Sequence, residues 1–240
     1  MASLPIREDI ADARRRLWDH LASPGSWWSG AERLAAVAEA RRATTCGLCR
    51  ERKAALSPAA VLGHHDGDRA LPDAAVEVAH KLRTDSGRLS EGWYMAQLEA
   101  GLSDAQYVEL VGVVTMATGL DMFARALGVP ADALPQPKPG HPRHDRPRGA
   151  KPNGAWVPTV AEADVTDGEA DFYPPGAVIP NIATALSLVP SEVRMLRALS
   201  AAFYMPIERV SDPTFHRGPL DRPQMELVAA RVSAINECFY

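Results

Sequence analysis

The sequence predicts an all-α fold. Apolar residues recur at helical spacing along most of the chain, and capping residues stand in front of those stretches. No run shows the period-two alternation of a half-buried strand.

The elements follow in order. Ile6, Ile10, Ala13, Leu17 and Leu21 share one helical face, and Pro24-Gly25 stops that helix. Ser29 precedes a helix over Ala31–Ala43 as its N-cap, and Glu32, three residues on, completes a capping box. Thr45 is expected to cap a third helix, with Cys46 and Cys49 in its first turn. Pro72 begins a helix over Asp73–Leu82. Ser90 and Glu91 open a short helix that Gly101 ends. Ser103 caps a long one, Asp104–Leu127, closed by Gly128 and Pro130. Prolines then crowd the stretch from Pro130 to Pro158, which forbids helix and favours an extended linker. Helix returns over Asn181–Tyr204, with Pro190-Ser191-Glu192 as an internal break. A final helix runs from near Asp221, with Pro223 in its first turn, to about Asn236.

Composition narrows the function classes. The chain has 240 residues, 46% hydrophobic and 23% charged, enough for one large domain or two small ones. A net charge of −4 gives no reason to expect nucleic acid or an anionic membrane as partner. The basic run Lys138 to Lys151 has no interleaved aromatic residue before Trp156, so it reads as solvated linker charge. Three cysteines are too few for a secreted disulfide scaffold and fit a reducing compartment. The N-terminus has no apolar signal-peptide core, and the apolar stretch Val108 to Leu120 is shorter than the roughly 20 residues a bilayer span needs. A cytoplasmic location is therefore expected, with no membrane partner.

Two cysteine sites carry chemistry. Cys46-Gly-Leu-Cys49 places two sulfurs one helical turn apart, and a helix N-terminus favours the nucleophilic thiolate. Attack on a peroxide gives a sulfenic acid that the second thiol resolves as a disulfide. Near the C-terminus, Glu226 precedes Cys238 by twelve positions. On one straight helix that is about 18 Å, so a carboxylate–thiol relay needs the chain to turn near Asn236 and a histidine from a returning helix. Two thiols need no metal or organic cofactor, and none is expected. Zinc on Cys46, Cys49, His64 and His65 is disfavoured, because that spacing is not a usual zinc set and adjacent histidines face different ways. His80 falls inside a predicted helix and reads as structural. Trp27-Trp28, Trp93-Tyr94 and Phe203-Tyr204 read as packing anchors.

The run from Glu226 to Cys238 resembles the Glu-x11-Cys-x2-Cys-x3-His signature of alkylhydroperoxidase D-like proteins, in the carboxymuconolactone decarboxylase superfamily. Pro180 to Pro190 is similar to that family's lead-in helix, and Gly101 to Asp104 with Phe123 to Pro130 look like its second half. The resemblance implies a helical domain over residues 1–129, a Pro-rich linker over 130–174, and the first part of a second copy over 175–240. It also implies a selenocysteine or cysteine at position 241 and a histidine at 245. The first copy departs from the pattern: Leu34 stands in place of the glutamate and Lys53 in place of the histidine, so its proton relay is expected to be missing. Glu39, Arg41 and Arg42 remain as groups able to perturb its thiols. The expected function is a thiol or seleno oxidoreductase that reduces hydroperoxides or disulfides through Cys238, Glu226, Cys46 and Cys49. A thiol reductant and self-association, as a homo-oligomer, go with it. The alternatives are a non-catalytic oligomerisation or binding module on the same scaffold, and a thiol-free, decarboxylase-type lactone reaction.

Overall fold

Ser29 and Ser103 each do what their positions predict. Each hydroxyl accepts from the backbone N–H three residues on, and Glu32 and Gln106 reach back to complete both capping boxes. In the computed structural model, described for residues 5–67, 70–173 and 181–235, nine α-helices occur and no strand. They are α1 (Glu8–Ala22), α2 (Gly30–Ala43), α3 (Gly47–Ala54), α4 (Asp73–Asp85), α5 (Glu91–Glu99), α6 (Asp104–Ala126), α7 (Asn181–Thr184), α8 (Pro190–Phe203) and α9 (Arg222–Ile235). The fold is all-α.

The start of α3 differs from expectation. Cys46, not Thr45, is the N-cap, and Cys49 is the third helical residue. The Thr45 hydroxyl instead donates to the carbonyl of Arg42 and closes the end of α2. The end of α6 is as predicted, with Gly128 at φ 69°, the left-handed geometry that glycine takes without steric cost.

Helices α2, α4 and α6 pack on one another, and α8 lies against α1 and α6. Leu110, Val113, Val114 and Met116 of α6 are buried, as are Leu34 and Val37 of α2. Each such side chain contributes roughly 1.5–3 kcal/mol. Val111 and Phe123, expected in this core, are half-buried. By length and composition α6 could cross a membrane: it has 23 residues, with a mean hydropathy of 1.3 over its most apolar window. Of that window 61% is buried, and its neighbours cover it as the central helix of a bundle.

Ion pairs are buried in this core. Arg33 of α2 donates to Glu109 of α6 at 3.1 Å and to Glu192 of α8 at 3.0 Å, and all three side chains are within 1% of full burial. His20 of α1 sits 2.9 Å from the same Glu192 oxygen. Between Gly128 and Ala161 the described chain has no helix, only an isolated antiparallel bridge between Lys151 and Thr159. The apolar side of α9 faces solvent, with Leu227, Val228, Val232 and Ile235 more than half exposed.

Candidate functional site

A short link joins α2 to α3, which packs against α4 and carries Cys46 and Cys49 at its start. Ala43, Leu48 and Val61 pack around them in a small apolar cluster of its own. Both thiols are free and buried, Cys46 at 2% and Cys49 at 6% exposure. Two histidines stand beside this buried thiol pair.

His65, from the loop after α3, holds its Nδ1 3.5 Å from the Sγ of Cys46 and 3.5 Å from the Sγ of Cys49. His80, on α4, holds its Nδ1 3.3 Å from the Sγ of Cys49. The two rings lie 4.1 Å apart, tilted by 43°. Behind each ring stands a carboxylate. His65 Nε2 is 2.8 Å from Glu77 Oε2, and His80 Nε2 is 3.0 Å from Glu39 Oε2. Each carboxylate is then fixed by an arginine: Arg52 donates to Glu77 at 2.7 Å and Arg42 to Glu39 at 2.6 Å. The indole N–H of Trp93 adds a third bond to Glu77 at 3.1 Å.

These environments drive the two histidines apart. Burial opposes a charge on His65, but its bonds to Cys49, Glu77 and Cys46 outweigh burial and push its pKa up to about 10. For His80 burial dominates over the Glu39 bond, and the neighbouring His65 charge adds to it, so its pKa falls. Burial would raise Cys46, yet backbone N–H groups at Cys49 and Asp66, with His65, bring it down to about 7. Burial also opposes ionisation of Glu77, but His65, Arg52 and Trp93 hold it near 2. One ring thus favours its charged form beside a thiol of lowered pKa and the other favours its neutral form, an arrangement suited to proton transfer. A cleft of about 500 Å³, lined by His64, His65, Gly67, Asp73 and Glu77 among others, opens on the His65 side.

Carboxylate, histidine and thiol are hydrogen-bonded in sequence here, from positions other than the motif's. Leu34 and Lys53 do hold the two motif positions, but Glu39, Glu77, His65 and His80 converge on the thiols from α2, α4 and a loop. His80 lies inside α4, fully buried and with both ring nitrogens satisfied, as the sequence suggests, and the partner of its Nδ1 is the Cys49 sulfur. His64, paired with His65 in the zinc set considered above, is exposed, and His80 takes its place around the sulfurs. Arg41 points elsewhere, to Asp121 at 2.7 Å. Glu226 lies on α9, where its carboxylate accepts from Tyr204 at 2.6 Å and Arg222 at 2.5 Å. Cys238 lies outside the described residues.

One signal in the sequence pointed to these partners. Glu39 and His80 interrupt the buried faces of α2 and α4, between Val37 and Ala40 and beside Val78 and Ala79. A buried ionisable residue needs a partner, and these two are each other's. Comparison of the chain with known family models, with characterised proteins and with solved structures found no match.

Proposed function

We propose that the protein is a thiol oxidoreductase acting through Cys46 and Cys49 on hydroperoxides or disulfides. One observation carries this reading: each sulfur of a Cys-x-x-Cys pair touches a histidine, and each histidine is backed by its own carboxylate. A merely structural pair of buried thiols has no need of two such chains. The resemblance of Glu226 to Cys238 to the alkylhydroperoxidase D-like signature supports the same chemistry, with Cys238 and Glu226 as a second centre.

The reaction balances with a hydroperoxide as oxidant. The Cys46 thiolate attacks the terminal peroxide oxygen, the O–O bond breaks, and the alcohol leaves after taking a proton from His65. Cys49 gives its proton to His80 and attacks the sulfenic sulfur; the S–O bond breaks, the departing hydroxide takes that proton from His80 and leaves as water, and the Cys46–Cys49 disulfide forms. Two thiols thereby supply the two electrons, and an external thiol reductant restores them.

The experiment is peptide mapping of the native protein after one equivalent of an alkyl hydroperoxide. A Cys46–Cys49 bond and loss of the peroxide are expected, and in Cys49→Ser a sulfenic acid on Cys46 is trapped by a 1,3-dione. Native protein that leaves the peroxide intact and forms no such bond overturns the proposal.

A further inference from the structure

Cys46, Cys49, His65 and His80 also satisfy a second chemistry. Their four donor atoms, two Sγ and two Nδ1, all lie within 4.8 Å of one another. Tetrahedral zinc, with bonds of about 2.3 Å to sulfur and about 2.0–2.1 Å to nitrogen, has sulfur–nitrogen edges of about 3.5 Å. Three of the four sulfur–nitrogen distances here are 3.5, 3.5 and 3.3 Å, and the fourth, Cys46 to His80, is within 4.8 Å. The shell behind the donors fits as well. A ligating histidine characteristically donates its other ring N–H to a carboxylate, which fixes the tautomer and turns the free nitrogen to the metal. Glu77 and Glu39 stand in that place for His65 and His80. Arg52 and Arg42 neutralise those carboxylates, so two thiolates alone balance a dication.

We infer that these four side chains form a tetrahedral Cys2His2 site for zinc or a similar borderline-soft divalent cation. The Cys-x2-Cys half comes from the start of α3, and the histidines come from the following loop and from α4. All four positions are filled by protein, so the ion ties three segments together in the manner of a structural site. The inference shares its residues with the proposed thiol chemistry but does not rest on it. A bound cation occupies both sulfurs and the Cys46–Cys49 disulfide removes both, so the two states exclude each other.

The test uses the full chain, reduced and metal-free, titrated with cobalt(II) and then with zinc. One equivalent of cobalt is expected to give the intense visible bands of a tetrahedral site with a thiolate charge-transfer band, and zinc is expected to displace it. Cys46→Ser and His80→Gln should each weaken and shift those bands. Glu77→Gln should lower zinc affinity roughly 10–100-fold while leaving the ligands in place. His64→Gln, at an exposed position, should change nothing and serves as the folded control. A pale octahedral spectrum, absence of cobalt binding by folded reduced protein, or binding unchanged in the double variant His65→Gln, His80→Gln overturns the inference. Peroxide consumption by the metal-free protein is scored separately, so failure of either idea is distinguishable from failure of the other.

Discussion

Arg33 donates to Glu192 at 3.0 Å, a fully buried contact between residues 159 positions apart. It ties α2 to α8, and the second carboxylate on Arg33, Glu109, ties in α6. One cation thus serves two buried carboxyl groups, with His20 at the edge.

Removing the cation strands both carboxylates. Arg33→Met is expected to destabilise the protein by about 3–5 kcal/mol, the cost of breaking a buried ion pair from one side. Adding Glu109→Gln and Glu192→Gln to it should recover part of that loss. Chemical denaturation of the two variants checks this, and equal stability for both would contradict the account.

Glu109 should make stability depend on pH. Burial raises its pKa from 4.5 to about 7, Arg33 only partly offsets this, and Glu192 adds to it. The native state therefore keeps a proton that the unfolded chain releases. The stability that this proton confers is complete below 4.5 and is lost as pH rises through about 7. The span corresponds to about 3 kcal/mol. Glu109→Gln should flatten the fall in melting temperature across that window, while a fall unchanged in the variant would assign it to another group.

Gly25 guards the same cluster. A Cβ there would lie 1.8 Å from Glu109 Oε1 and 2.2 Å from Arg33 Nη1. Both atoms belong to groups already fixed by their partners, so neither can yield cheaply. Gly25→Ala is expected to cost more than 1 kcal/mol in thermal or denaturant unfolding, well above the roughly ±0.5 kcal/mol of an ordinary surface change.

At the thiol site, His80→Gln should slow formation of the Cys46–Cys49 disulfide by roughly 10²–10⁴-fold, the usual contribution of a positioned base. Glu39→Gln should act in the same direction and more weakly, since Glu39 works through the ring. Quench-flow trapping and peptide mapping read the rates, with circular dichroism to verify the helices. Wild-type rates in both variants would remove His80 from the proton path.

Much of the fold was legible because its signals are local. Ser29, Ser90 and Ser103 cap the helices they precede, and Gly101 and Gly128 end theirs at positive φ. The site was half legible. Cys46 and Cys49 advertise themselves by spacing, whereas Glu39, His65, Glu77 and His80 meet them only after α2 and α4 have packed. Local pattern carries no record of that meeting. The one trace is thermodynamic: Glu39, His80, Arg33 and Glu109 are charged or titratable residues set among apolar neighbours, each of which obliges a partner. Cys46 as its own helix cap was misread because Thr45 is the better capping residue in isolation.

The sulfurs sit in an apolar cluster of their own, apart from the large one shared by α1, α2, α4, α6 and α8. The main core and the proposed thiol chemistry therefore rest on largely separate sets of positions. In a deep mutational scan, changes at Cys46, Cys49 and His65 would abolish the proposed thiol chemistry and touch abundance only through the proposed metal site, whereas changes at Leu17 or Leu110 would lower abundance directly. Glu39 and His80, which stand on core helices but serve the sulfurs, are where the two maps overlap.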